Sequence, residues 1–133
     1  MNKKFLKKII AHSPEDLRLI SACCSEGKVK ISELKYLPKN KIFLLSLERY
    51  GRETGKKNIK INSICKFEFV DTVKSKNIDQ SDKSLVLELL TIEFMKNKEN
   101  CEINLIFSGN AYITLFTEII EATLIDSNQK SKW

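Results

Sequence analysis

The residues best suited to covalent or metal chemistry are four cysteines and a single histidine in a chain of 133 residues. Cys23 and Cys24 are adjacent, whereas Cys65 and Cys101 stand alone, so the chain has no C-x-x-C pair. His12 does not complete a set of zinc ligands with any of them, and it is not near enough in sequence to activate Cys24 as a nucleophile. We therefore interpret the cysteines as reduced thiols that pack as small apolar residues, and we predict no metal and no cofactor.

Three pairs of closely spaced carboxylates are the next candidates for chemistry. They are Glu15 and Asp16, Asp79 and Asp82, and Glu118 and Glu121. A general acid needs a carboxyl group whose pKa is raised in a cleft, and the residues around these pairs indicate no cleft. The first pair is explained by the start of a helix, where negative charge is favourable. The sequence predicts no catalytic residue and favours a protein without enzymatic activity, but it does not decide whether the protein is an enzyme.

The segment 51–57 reads GRETGKK and resembles a phosphate-binding loop only in part. The Walker loop has the spacing G-x-x-x-x-G-K-S/T. Here only Arg52, Glu53 and Thr54 separate the glycines, and Lys57 stands where the hydroxyl is needed. An extended pattern follows the segment instead of a helix that could favour a phosphate group, so we predict no nucleotide site there.

Basic residues along a predicted hairpin form the best candidate for a binding surface, specifically for a polyanion such as nucleic acid. The set consists of Lys35, Lys39, Lys41, Arg49, Arg52, Lys56, Lys57 and Lys60. Residues 1–60 hold 15 basic and 6 acidic side chains, whereas residues 61–133 hold 8 basic and 11 acidic ones. Such asymmetry is typical of a polyanion-binding face, and Tyr36 and Tyr50 could stack on bases.

A solvated, lysine-rich surface is the simpler interpretation of the same residues. The net charge is +6, and 20 of the 23 basic residues are lysine. Specific recognition of phosphate more often uses arginine, whose planar guanidinium binds two oxygens at once. Both interpretations therefore stay open at this point.

The clearest local signal is the start of a helix at Ser13. Serine is a favoured N-cap, Pro14 suits the first helical position, and an acidic residue follows in the first turn. Leu17, Ile20 and Cys24 then recur at helical spacing. We predict a helix over 14–26 whose Leu17/Ile20/Cys24 face lies on a sheet, ended by Gly27 in the left-handed conformation.

After this helix the hydrophobic period changes to that of a strand. Val29 and Ile31 alternate with lysines, and the phase then shifts to Leu34 and Tyr36, which predicts a β-bulge. Polar turns divide the rest of the chain, and a short strand precedes the helix. Strands are predicted over 5–11, 28–37, 41–50, 59–75 with a kink, 85–95, 101–107 and 112–125. For residues 118–125, a terminal helix beginning at Glu118 is the competing interpretation.

These elements predict an α+β fold. It has one N-terminal helix on a strongly curled antiparallel meander, or on a partly open barrel, of about six or seven strands. No strand–helix–strand alternation indicates a parallel sheet, and no repeat or linker indicates a second domain. We predict a single domain over residues 1–133, with a frayed tail at 127–133.

Four stretches, in order along the chain, carry a resemblance to a known family. They are residues 13–17 with 20–22; 36–38 followed by 43–50; 67–68 with Val70, Val73, Ser75, Ile78 and Asp79; and 105–109 through 113–115 to 120–122 and Asp126. Over nearly its whole length the chain resembles the bacterial family known as domain of unknown function 2948. It departs from that pattern at Asn110, where a second turn glycine is expected, and in using lysine where the family tends toward arginine. Because that family has no assigned activity, cofactor or catalytic residue, the resemblance implies the fold and a cytoplasmic location and carries over no site residue.

The sequence also indicates a location for the protein and a set of candidate functions. It has no apolar run long enough to span a membrane, and residues 1–12 lack the apolar stretch of a signal peptide, so we expect a cytoplasmic protein. The favoured function is a non-catalytic accessory domain that binds a protein partner through the curved sheet or an exposed edge. Nucleic-acid binding by the basic set is the first alternative. The second is a small enzyme or small-molecule binder with a pocket between helix and sheet.

Overall fold

The computed structural model of the protein describes residues 8–50 and 60–127. These residues form one helix and nine strands. In chain order the elements are β1 (Lys8–Ala11), α1 (Pro14–Cys24), β2 (Gly27–Leu37), β3 (Ile42–Tyr50), β4 (Lys60–Phe67), β5 (Val70–Lys76), β6 (Val86–Lys96), β7 (Cys101–Phe107), β8 (Ala111–Thr117) and β9 (Ala122–Asp126). The predicted α+β class with an N-terminal helix is confirmed. Predictions for residues 5–7, 51–59 and 128–133 lie outside the described residues.

Helix α1 begins as its sequence predicts. The backbone of Ser13 is extended, and its side-chain oxygen accepts a hydrogen bond of 3.1 Å from the backbone N–H of Asp16. This bond satisfies one of the N–H groups that the first helical turn leaves without a partner. Leu17, Ile20 and Cys24 are all buried, so the predicted face of the helix does pack on the sheet.

The end of α1 differs from the prediction. The helix ends at Cys24, and the left-handed residue is Glu26, with φ 69°, so the prediction that Gly27 adopts this conformation was wrong. Gly27 is instead the first residue of β2. A Cβ atom there would lie 2.7 Å from Leu47 Cδ1 and 2.9 Å from the Cys24 carbonyl oxygen. The glycine is needed because β3 and the helix end approach it closely.

A substitution at this position tests that explanation. We expect Gly27→Ala to lower the free energy of unfolding by about 1–3 kcal/mol, because the added methyl group must displace Leu47 or the backbone. Urea denaturation measures the change. Lys28→Ala, at the exposed next position of β2, is the control and should change the free energy of unfolding by less than about 1 kcal/mol, because the ion pair of Lys28 with Glu88 is exposed to solvent. A Gly27→Ala protein as stable as the unmodified chain would contradict the explanation.

All strands of the described residues belong to one antiparallel sheet, in the order β1-β9-β4-β3-β2-β6-β7-β8-β5. Two meanders, β4-β3-β2 and β6-β7-β8, are joined by pairing between β2 and β6. β9 fills the position between β1 and β4, and β5 forms the opposite edge. The meander prediction therefore holds within each group of three strands and fails for the whole sheet.

The predicted strand count was too low because two long extended segments each form two strands. Residues 59–75 contain β4 and β5, separated at Phe69, whose φ is 59°. β4 pairs with β3 and β9, whereas β5 pairs with β8. Likewise, β8 and β9 are separated by residues 118–121 and pair with different neighbours. The alternative of a helix beginning at Glu118 is wrong, since residues 122–126 are extended.

Register shifts interrupt the pairing of several strands. The predicted bulge in β2 is present between Val29 and Leu34, and β6 has a second shift between Leu89 and Thr91. The sheet is not closed, because β1 and β5 are its two edges. The start of β5 nevertheless lies beside the β2–β3 turn, where the backbone N–H of Val70 donates to the carbonyl of Lys41 at 2.8 Å.

The core lies between α1 and the inner face of the sheet. On β3, alternate residues Phe43, Leu45 and Leu47 are buried, while Ile42 and Leu44 on the opposite face are half-buried, as the alternation predicts. The inner residues of β7 and β8 and the buried face of α1 complete the same cluster. This apolar burial is the main source of stability for the fold.

Candidate functional site

The most distinctive surface of the described residues is the side of β6 that faces α1. β2 pairs with β6 only over residues 27–30 and 86–89. The residues before Gly27 belong to α1 and to the turn that follows it, so they form no strand beside β6. Along residues 90–96, therefore, β6 pairs with β7 on one side and has α1, not a strand, on the other.

Ser21 of α1 marks which backbone groups face the helix. Its side-chain oxygen accepts a hydrogen bond of 2.9 Å from the backbone N–H of Ile92 and lies 3.2 Å from the Thr91 hydroxyl. In an antiparallel strand every second residue turns its N–H and C=O to the same side. The backbone groups of Phe94 and Lys96 therefore face the same side as those of Ile92. Within residues 8–50 and 60–127, no strand pairs with the backbone groups of Phe94 and Lys96 on the α1 side of β6.

A groove of about 550 Å³ runs between α1 and this edge. Leu17, Arg18 and Ser21 line it from the helix, and residues 90–95 line it from the strand. Leu90 and Met95 are 43% and 54% exposed, respectively. Large apolar side chains at such exposure, beside unpaired backbone groups, are typical of a surface that binds another chain.

The groove lies where a pocket between helix and sheet was expected, but its polar groups do not form a reactive set. The Ser21 and Thr91 hydroxyls are bonded to each other, and Ser21 also accepts from the strand. Among the described residues that line the groove, none is a histidine or a cysteine. The geometry therefore supports binding of a backbone more than activation of a nucleophile.

The members of the basic set that the structure describes lie near the two ends of β3. Lys35, Lys39 and Lys41 are exposed at the β2–β3 turn, whereas Lys60 pairs with Tyr50 at the far end of β3. From Lys41 to Tyr50 an extended chain spans roughly 30 Å. Lys41 also contacts Asp71 at 2.9 Å and Glu118 at 3.4 Å, and its hydrogen bond and charge interaction with Asp71 raise its pKa.

Arg49 is the clearest correction within that set. Its side chain is fully buried and forms an ion pair with Asp126 of β9, with 2.9 Å between Arg49 Nη2 and Asp126 Oδ1. The guanidinium therefore does not face solvent, because the inner face of β3 carries position 49 into the interior. Arg52, Lys56 and Lys57 lie outside the described residues. Polyanion binding by the other members stays a prediction.

The carboxylate pairs considered from the sequence have structural roles. Asp79 accepts hydrogen bonds from both the hydroxyl and the backbone N–H of Ser81, and these bonds lower its pKa. A general acid requires the opposite shift. The remaining contacts are those of Asp16 with the His12 backbone, Asp82 with Ser84, Glu118 with Lys41, and Glu121 with His12.

The cysteines lie where small apolar residues are expected. Cys24, Cys65 and Cys101 are buried, Cys23 is half-buried, and none of the four forms a disulfide. Burial raises the pKa of Cys65 well above its usual value, and the neighbouring Cys24 raises it further. A nucleophilic cysteine needs a lowered pKa. No group of three or more histidine, cysteine or acidic residues in the described chain is placed to hold a metal ion.

Comparison with protein-family models gives a match to a family described as "Protein of unknown function (DUF2948)" over residues 7–133. The chain belongs to the DUF2948 family. The resemblance predicted from four ordered stretches is thereby confirmed. Searches of curated proteins and of solved structures found no match to this DUF2948 chain. In the described part of the chain, no helix is both long enough and apolar enough to cross a membrane.

The sequence predicted a pocket between helix and sheet, but it did not indicate which residues line the groove of this DUF2948 protein. The edge of β6 is open because β2 begins only at Gly27, directly after α1, so residues 90–96 extend beyond the pairing with β2, which is a long-range property of the sheet. Two local signals point toward it. Ser21 is a polar residue on the side of α1 that meets β6, and the buried Leu89 lies out of phase with Ile92 and Phe94, which indicates a register shift in β6.

Proposed function

We propose that this DUF2948 protein is a non-catalytic interaction domain that binds an extended peptide segment of a partner protein. The peptide lies in the groove beside α1 and adds a strand to the open edge of β6. The observation that carries this proposal is the absence, among the described residues, of any strand beside residues 90–96 on the α1 side. Open strand edges are templates for a further chain.

Backbone pairing selects an extended peptide over other occupants. A partner surface that buried the Phe94 and Lys96 backbone groups without hydrogen bonds would lose about 1–3 kcal/mol of binding free energy for each group. An extended chain supplies the missing partners and leaves its own side chains free to contact Leu90 and Met95. Because Ser21 already holds the Ile92 N–H, pairing is expected at Phe94 and Lys96.

The dimensions of the groove suit a short segment. Residues 90–96 extend over roughly 20 Å, which corresponds to a peptide of about six residues. Arg18 and Glu93, one on each side, are the charged residues among the described lining residues. The groove therefore has no excess of positive charge, and an uncharged or mixed-charge peptide is favoured over nucleic acid.

The nucleic-acid alternative is the weaker proposal. It rests on exposed lysines near the two ends of β3 and on residues 52, 56 and 57. Arg49 does not contribute, because its side chain is buried. Binding that depends on these lysines should weaken steeply as salt concentration rises. Fluorescence anisotropy with labelled single-stranded and duplex DNA at about 50 mM salt tests it, and no binding under those conditions would eliminate it.

We further infer that residues 1–133 act as one unit in the cytoplasm. The single-unit inference is supported by a core that joins residues from α1 and from every strand in the described ranges, β1 to β9. The location is supported by four cysteines that form no disulfide, which fits a reducing compartment. Fractionation of cells that express the tagged full chain tests this location.

The strand-addition proposal is tested by selecting peptides from a random library against the full chain and measuring their affinity by anisotropy. Lys96→Pro removes an N–H from the open edge. It leaves the hydrogen bonds to β7 in place, because position 96 turns its backbone groups away from β7. We expect this variant to bind a selected peptide about tenfold more weakly. Lys96→Ala is the matched control and should bind within about twofold of the unmodified chain.

Hydrogen exchange adds a second measurement on the same complex. The Phe94 and Lys96 amides should exchange quickly in the free protein and slowly with peptide bound, while the amides of Glu93 and Met95, which face β7, stay protected in both. Equal affinity of Lys96→Pro and Lys96→Ala, with no new protection at Phe94, would overturn strand addition.

A further inference from the structure

A second cavity lies where the sheet is open between β2 and β5. After Lys30, β2 leaves β6 and pairs with β3 alone, and β5 pairs with β8 alone. In the described residues no strand ladder joins residues 32–37 of β2 to β5. The Tyr36 hydroxyl spans the gap at one end, where it donates to the carbonyls of Val70 at 2.9 Å and Asp71 at 3.0 Å.

The other end of the gap is covered by the segment that leads from β5 to β6. This segment is held at β2 by a hydrogen bond of 3.0 Å from the Ile31 N–H to the Leu85 carbonyl. The space that remains between the two strands has a volume of about 430 Å³. Cavities of about 300–1,000 Å³ are the usual size of small-molecule sites.

Apolar side chains form one part of the cavity lining, namely Ile31, Leu34, Phe43, Val73, Ile78 and Ile113. The uncharged polar residues of the lining are Ser32, Tyr36, Ser75 and Gln80. Phe43 and Ile113 are buried core residues, whereas Leu34, Val73 and Ile78 are half-buried at the core's margin. A hydrocarbon chain placed here would leave water for an apolar surface already shaped by the fold, which is a favourable transfer.

The rim of the same cavity is positively charged. Lys35 and Lys83 both line it and are exposed, and no aspartate or glutamate is among the described residues of the lining. No ion pair between described residues engages either ammonium group. The nearby carboxylates of Asp79 and Asp82 accept hydrogen bonds from Ser81 and Ser84 within their own turns.

We propose that this cavity binds a small amphipathic anion, with an apolar body inside and an acidic head group between Lys35 and Lys83. A medium-length alkyl carboxylate is the simplest ligand of this class. The site is independent of strand addition at β6, because the cavity and the α1–β6 groove share no lining residue. Failure of either proposal therefore leaves the other unaffected.

Methyl NMR titration of the full chain with decanoate tests the proposal. We expect the resonances of Val73, Ile78 and Ile113 to shift with saturation below about 1 mM ligand. Decanol, with the same chain and no charge, should bind at least about tenfold more weakly. Decyl phosphate in a parallel titration distinguishes a phosphate head group from a carboxylate, according to which binds more tightly.

Substitution of the two lysines tests whether they bind the acidic head group. Lys35→Gln combined with Lys83→Gln should weaken decanoate binding about tenfold. Lys39→Gln removes an exposed lysine that does not line the cavity and should leave the affinity unchanged. The proposal is overturned if decanoate does not bind at about 1 mM, if the double variant binds as tightly as Lys39→Gln, or if the shifted methyl groups are those of the α1–β6 groove.

Discussion

Asp126→Ala is expected to lower the free energy of unfolding by about 3–5 kcal/mol, a large part of the stability of a small domain. Asp126 is 3% exposed and accepts from Arg49 Nη2 at 2.9 Å on each carboxylate oxygen. Removing it would take away a carboxylate that accepts from the buried guanidinium through both of its oxygens. Breaking a buried ion pair by removing one partner is strongly destabilising.

Three strands meet at this ion pair. Arg49 is on β3, Ser63 on β4 and Asp126 on β9. The Ser63 hydroxyl accepts from Arg49 Nε at 3.0 Å and donates to Asp126 Oδ1 at 2.7 Å. The pair therefore links adjacent strands through side chains in addition to their backbone ladders.

A double-mutant cycle measures the interaction. Urea unfolding of Arg49→Ala, Asp126→Ala and the combined variant should show that the combined loss is smaller than the sum of the two single losses. Replacing both residues with apolar ones, Arg49→Met with Asp126→Leu, should recover much of the stability, because no charge then remains buried. Lys60→Ala, which removes an exposed partner of Glu48, is the control and should change stability by less than about 0.5 kcal/mol. Single losses no larger than that control would contradict this account.

Leu124→Ala is expected to destabilise the protein by about 2–5 kcal/mol. Leu124 is fully buried in the middle of β9, between Ile9 of β1 and Cys65 of β4. The substitution would leave a cavity between two strands that depend on β9 for their pairing. The neighbouring Ile125, on the other face, is 41% exposed.

The matched control is Ile125→Ala, which removes a side chain of similar size from the next position. It should lower the free energy of unfolding by about 1 kcal/mol or less, because much of that side chain is already in contact with water. Thermal and urea unfolding measure both variants. Equal losses at positions 124 and 125 would indicate that the two side chains do not alternate between faces, and would contradict strand β9.

Elements defined by neighbouring residues were predicted well from the sequence. Helix α1 was identified from its N-cap and its buried face, and β7 and the start of β8 were identified from the alternation and the turn at Gly109. In each case the signal and the structure it specifies lie within a few residues of each other. The end of α1 was predicted less well, because the role of Gly27 depends on the approach of Leu47 from another strand.

Pairings between distant segments could not be read from the same patterns. Strand alternation continues on both sides of Phe69 and of residues 118–121, so it does not reveal that the chain leaves one part of the sheet for another. Arg49 was placed on the surface for a similar reason. Its partner, Asp126, lies 77 positions later in the chain, and alternation alone gives no reason to expect a charge on an inner face.

The candidate sites depend on that same long-range arrangement. The open edge of β6 exists because β2 begins only at Gly27, and the cavity beside β5 exists because β2 leaves β6 after Lys30. No motif encodes such a change. The signal in β2 was the bulge, which was predicted correctly, but the bulge does not specify which strand lies beyond it.

The position of β9 between β1 and β4 has a consequence for synthesis of the protein. The ribosome makes β1 first among these strands and β9 last, so the nascent chain carries β1 without a neighbour until almost all of the described sequence has emerged. Completion of the sheet must therefore follow translation of β9. In the interval, an open strand at the beginning of the chain and another at β4 are exposed to chaperones and to pairing with other nascent chains.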